Sequence, residues 1–91
     1  MSVKDDPRVI ASINRLRHLG LSVIVDNPNP NLVVILIDNE SLVKTIKNMI
    51  AKSVSYPKYF IYLDKETNVM GLYIWKGEKP KIVQELEMKL Q

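Results

Sequence analysis

The chain of 91 residues contains no cysteine. That absence excludes a disulfide framework, a thiolate zinc site and a cysteine nucleophile together, and it is compatible with a reducing compartment. Glycine is almost as scarce. Gly20, Gly71 and Gly77 stand apart, so no glycine-rich loop is present to cradle a phosphate. No serine occupies a strand–turn–helix elbow of the kind that exposes a nucleophile. The single histidine, His18, has neither a second histidine to share a metal with nor an acidic residue four positions away. A place at a helix C-terminus, where positive charge is favoured, accounts for it without chemistry. The longest uninterrupted apolar run, Leu32 to Ile37, falls far short of the roughly 20 residues that span a bilayer. The opening Met1-Ser2-Val3-Lys4-Asp5-Asp6-Pro7 carries two acids and no apolar run, and reads as neither signal nor transit peptide. The expectation is a cytoplasmic protein, not an enzyme, with no cofactor, no metal and no membrane partner.

Charge of either sign is not concentrated anywhere. The net charge is +3, split as +2 over residues 1–52 and +1 over residues 53–91, so the electrostatic case for nucleic acid is weak. With 46% hydrophobic and 25% charged residues the composition is that of a folded chain. Its length allows one core and hence one domain, residues 1–91. A domain of this size keeps a modest stability margin, which makes pairing with a second copy a reasonable expectation. Abundant Lys, Ile and Val beside two glutamines is a bias of heat-adapted proteins.

What the chain does have is unevenly placed. All six aromatic residues (Tyr56, Tyr59, Phe60, Tyr62, Tyr73, Trp75) fall within twenty positions. Around them the periodicities predict an α-ββα-ββα order. A first helix runs from Pro7 to His18, capped by Asp6 and stopped by Gly20, with Val9, Ile10, Ile13 and Leu16 as its apolar stripe. A strand over Leu21 to Asp26 meets the loop Asn27-Pro28-Asn29-Pro30-Asn31. A second strand covers Leu32 to Ile37. Asp38 or Asn39 then caps a helix from Glu40 to Lys52, with Leu42, Val43, Ile46, Met49 and Ile50 inward. Strands over Lys58 to Asp64 and Val69 to Trp75 flank the turn 65–68. A last helix opens at Pro80 and runs to Leu90 on the stripe Ile82, Val83, Leu86 and Leu90. Residues 21–52 and 58–90 read as two similar ββα units, which raises the idea of an old duplication.

Because strand side chains alternate, pairing across the turn 65–68 fixes which residues share a face. Leu63 falls opposite Met70, Ile61 opposite Leu72 and Tyr59 opposite Ile74. On the reverse, Phe60 meets Tyr73, Tyr62 meets Gly71 and Lys58 meets Trp75. The first hairpin likewise places Leu21, Val23, Val25, Val33, Ile35 and Ile37 together, with Ile24, Val34 and Leu36 behind. The second strand is apolar on both sides, the mark of an interior strand. With the two units alike, the expected fold is α+β, one antiparallel sheet of order 1-2-4-3, with the second and third helices on the aliphatic face. The other face then holds Ile24, Val34, Leu36, Phe60, Tyr62, Tyr73 and Trp75. The first helix would cover part of it, and a large bare apolar patch is unusual in a monomer.

Three covers suit that face: the chain's own core or a dimer seam, stacked bases, or a small molecule. Phe60, Tyr62, Tyr73 and Trp75 with Lys58 beside them are the residue types that stack unpaired bases. Arg8, Arg15 and Arg17 on the first helix could meet phosphates. A solvated helix face explains the same arginines, and Lys44 and Lys47 read the same way. The fourth strand, Val-Met-Gly-Leu-Tyr-Ile-Trp, lacks the basic residue of an RNA-recognition motif. Asp38, Asn39 and Glu40 end a strand where metal-binding carboxylates often sit, and helix capping accounts for them equally. The expected function is therefore a small non-enzymatic interaction protein, homodimeric through the apolar and aromatic sheet face or through the first helix, with another protein as a possible partner. The alternative is a nucleic-acid-binding protein using that face with the basic first helix.

Overall fold

The computed structural model of the chain describes residues 2–38 and 43–90. A 3₁₀ turn at Val3–Asp5 precedes helix α1 (Pro7–His18). Strands β1 (Val23–Asn29) and β2 (Leu32–Asp38) form a hairpin, followed by helix α2 (Val43–Ser53). Strands β3 (Tyr59–Asp64) and β4 (Val69–Trp75) form a second hairpin, followed by helix α3 (Lys81–Lys89). The four strands make one antiparallel sheet in the order β1-β2-β4-β3, so the fold is α+β with both interior strands where their two-sided apolar character requires. No described helix is long and apolar enough to cross a membrane.

Local chemistry sets the ends of these elements. The Asp6 carboxylate accepts the Arg8 backbone N–H at 2.9 Å, and Pro7 occupies the first helical position, so α1 begins where its orphan donors are met. Gly20, with φ of 83°, takes the left-handed conformation that ends α1. The turn at 65–68 closes through Asn68, whose φ of 57° asparagine tolerates.

The registers follow the expected face assignment throughout. Tyr59 pairs with Ile74, Phe60 with Tyr73, Ile61 with Leu72, Tyr62 with Gly71 and Leu63 with Met70. Ile24 pairs with Leu36 and Val25 with Ile35. Leu32, Val34 and Leu36 pair with Trp75, Tyr73 and Gly71.

The helix placement differs from expectation. The aliphatic face (Val33, Ile35, Ile37, Met70, Leu72, Ile74) forms one core with Val9, Ile13 and Leu16 of α1 and Ile46 and Ile50 of α2. Helix α3 does not join it: Val83 packs with Leu32 and Trp75, against Val34, Phe60 and Tyr73, on the other face. Helices α2 and α3 therefore lie on opposite sides of the sheet, and α1 shares the aliphatic side with α2. The physical reason is that both faces are apolar: one short amphipathic helix covers the Trp75 end of the aromatic side while α1 and α2 together cover the aliphatic one. The two ββα units thus share a strand pattern but not a helix position.

Smaller differences have local causes. The segment expected as the loop 27–31 is mostly strand, with a break in register between Asp26 and Asn29. The Asn27 side-chain amide donates to the Asn29 and Leu32 carbonyls, both at 2.7 Å, and replaces the ladder bonds that proline cannot make. Ile10, Met49, Ile82 and Leu90 are exposed where their stripes expected them inside. Asn39, Glu40 and Leu42, assigned to the start of the second helix, lie outside the described residues, as does the Val43 side chain.

Candidate functional site

The second face of the sheet carries the residues singled out from the sequence, and α3 divides it into a sealed and an open part. Trp75 is sealed: it is 7% exposed and stacked with Leu32 and Val83. Phe60, Tyr73 and Val34 border this small core and are half-buried. Leu36 and Tyr62 are half-buried as well, and Ile24, on the edge strand β1, is 64% exposed. The sequence-assigned surface is therefore not one patch. Ile24 sits three strands away from Phe60 and Tyr62, and Trp75 is interior to the subunit.

Gly71 is the pivot of the open part. The Tyr73 ring folds back over it, so that a methyl group built on Gly71 would come within 2.9 Å of the ring. Tyr62 stands directly across the ladder from Gly71. Burial pushes the Tyr73 phenol above its usual pKa, and Tyr62 and Asp64 add to the effect. Between these tyrosines and the second half of α3 lies a groove of about 720 Å³ lined by Leu36, Tyr62, Gly71, Tyr73, Leu86 and Leu90, with Asp64 and Lys89 at its rim. Leu90, on the turn that ends α3, is 61% exposed.

Strand β3 forms the outer margin of this face. Not one of its six residues is buried, although Tyr59, Phe60, Ile61, Tyr62 and Leu63 are all aromatic or aliphatic. The adjacent β4 buries Met70, Leu72, Ile74 and Trp75. Sequence reasoning fixed which face each β3 residue takes but missed that the strand is covered only in part, with Ile61 and Leu63 packed at the margin of the aliphatic core and Phe60 at the margin of the other. The signal was available in its edge position, since an edge strand has a neighbour on one side only.

The basic residues of α1 lie elsewhere. Arg8 pairs with Asp6 at 3.0 Å and stacks 4.5 Å above the buried Tyr56 ring. Arg15 donates to the Ser55 hydroxyl at 3.3 Å, next to the Ser12 hydroxyl, which accepts the Ser55 N–H. Both arginines thus tie α1 to the segment entering β3. Arg17 and His18 are exposed. Because α1 packs on the aliphatic face, these cations and the aromatic face are on opposite sides of the sheet, and the fold does not join them into one surface. Lys58 lies beside the aromatic residues, but its ammonium donates to the Gly77 carbonyl at 3.0 Å. Among the described residues no three His, Asp or Glu side chains are gathered to hold a metal. No protein-family model, no curated protein and no solved structure matches the chain.

Proposed function

We propose that this chain is a small non-enzymatic interaction protein that acts as a homodimer, associating through the β3 margin of the sheet with Phe60 and Tyr62 at the contact. The observation that supports this reading is an edge strand of five consecutive aromatic or aliphatic residues that the subunit covers only in part: Phe60, Ile61, Tyr62 and Leu63 are half-buried and Tyr59 is 36% exposed. At roughly 25 cal/mol per Å², burying a few hundred Å² there contributes several kcal/mol. Association costs about 4–15 kcal/mol in lost freedom, so the margin is narrow and the dimer is reversible. Trp75 has no part in the contact, because α3 already covers it.

Sedimentation equilibrium across the micromolar range tests the reading. The expected mass is that of two chains, falling to one chain in Tyr62→Asp and staying at two in Ile24→Asp, which places the same charge at an exposed apolar position on the opposite edge. A native mass of one chain at high micromolar concentration overturns it.

A further inference from the structure

Resting on that dimer reading, we infer that two copies join edge to edge, β3 against β3 in antiparallel register about Ile61, to make one continuous eight-stranded sheet. The Trp75 N–H donates to the Lys58 carbonyl at 3.2 Å, which makes 58 and 75 a hydrogen-bonded pair. Such pairs alternate along an antiparallel ladder. Residues 60 and 62 therefore turn their backbone groups toward β4, and Tyr59, Ile61 and Leu63 turn theirs to the open edge. Among the described residues, no backbone group from outside the sheet bonds to those three.

Symmetry then selects the register. Two neighbouring antiparallel strands related by a twofold axis keep the same face up, so the axis must pass through a residue position. With the axis at Ile61, Ile61 meets Ile61, Tyr59 meets Leu63 on the aliphatic side, and Phe60 meets Tyr62 on the aromatic side. Lys58 of each copy then meets Asp64 of the other. All three outward residues find hydrogen-bonded partners, and both charges find an opposite charge. Moving the axis to Phe60 sets Pro57, which has no N–H, against Leu63. Moving it to Tyr62 sets Asp64 against Phe60. Only the Ile61 axis leaves no charge facing an apolar residue.

The end groups are disposed for this exchange. Asp64 uses Oδ1 for the Glu66 N–H at 3.0 Å and keeps its second oxygen. Lys58 uses one of three ammonium donors on Gly77. Strand β3 also carries none of the usual edge defences: no proline, no internal charge and no break in register. Strand β1, the other edge, has Asp26, Pro28 and the irregularity between Asp26 and Asn29.

Amide hydrogen exchange on the native chain tests this directly. The Tyr59, Ile61 and Leu63 amides are expected to exchange freely in dilute solution and to gain protection as concentration rises through the dimerisation range. A second test uses the absence of native cysteine. In Ile61→Cys the two thiols face each other across a hydrogen-bonded pair, with Cα atoms about 5.5 Å apart, inside the disulfide window. Oxidised glutathione should then convert most of the chain to a covalent dimer. Tyr62→Cys, with Cα atoms about 8 Å apart, should convert poorly. Lys58→Glu and Asp64→Lys should each weaken association, and an equimolar mixture of the two should form a heterodimer at least as tight as the native dimer. If the native chain sediments as a dimer while Tyr62→Cys or Leu36→Cys crosslinks faster than Ile61→Cys, the sheets pack face to face: edge pairing is overturned and the dimer stands. If the native chain sediments as single copies, the dimer reading itself fails.

Discussion

At the scale of single residues, two contacts govern local behaviour. Gly71 is an interior strand residue without a side chain, and the Tyr73 ring occupies the space a Cβ would take. Gly71→Ala should expel the ring and destabilise the fold by about 1–3 kcal/mol, the usual cost of overpacking. In a Tyr73→Ala background the same change should be nearly neutral or favourable, because the clash is gone and alanine suits a strand better than glycine. Urea unfolding of the four proteins measures this coupling as a double-mutant cycle. The second contact is Asp6 with Arg8. The side-chain hydrogen bond from Arg8 leads, with its backbone N–H second, in holding the Asp6 carboxyl below its ordinary pKa. A depressed folded value means stability that is present above the unfolded value near pH 3.9 and lost as pH falls through the folded one. Asn caps a helix as well as Asp but does not titrate. Asp6→Asn should therefore show a shallower loss of thermal stability below about pH 4 than the native chain, as followed by melts at a series of pH values.

At the scale of elements, α3 is lightly anchored. It buries only Val83 and Leu86, and no side chain of its N-cap residue, Pro80, bonds the first turn. Its other ties are local: the Gln84 amide to the Lys79 carbonyl at 3.1 Å and the Lys79–Glu87 pair at 2.8 Å, the latter exposed and of small value. Val83→Ala should cost about 2 kcal/mol, and the Trp75 emission maximum should shift to the red as the helix lifts from the indole. The same element shows what the sequence could and could not disclose. The stripe Val83 and Leu86 identified the apolar side of α3 but not the face of the sheet it would take, because both faces are apolar and the short link from Trp75 can turn either way. The register of β3 on β4 was legible because the turn 65–68 fixes the phase, and a single phase determines every later pair down to Tyr59 with Ile74. The extension of β1 was hidden, since two prolines in five residues read as a loop until Asn27 is seen supplying the missing bonds. Of the candidate surface, the face of each residue was readable from alternation. Its division into a sealed part at Trp75 and an open part at Tyr62 depended on where α3 landed.

At the scale of the whole molecule, the sheet has one guarded edge and one unguarded edge, and stability should reflect how the unguarded one is used. In a dimer that dissociates on unfolding, folding and association are linked, so the melting temperature rises with protein concentration. A monomer of the same fold has no such dependence. The native chain should melt progressively higher across a hundredfold range of concentration, read by circular dichroism in cells of different path length. Tyr59→Asp separates this effect from simple loss of stability. Tyr59 is 36% exposed, so a carboxylate there costs the subunit some stability at every concentration, and in the paired sheet it would also lie against Leu63 of the second copy. The variant should melt below the native chain by an offset that widens as concentration rises, because its own melting temperature does not climb. If each protein melts at a single temperature whatever the concentration, β3 remains open to water in the working molecule. Its run of apolar residues would then need a partner other than a second copy of this chain.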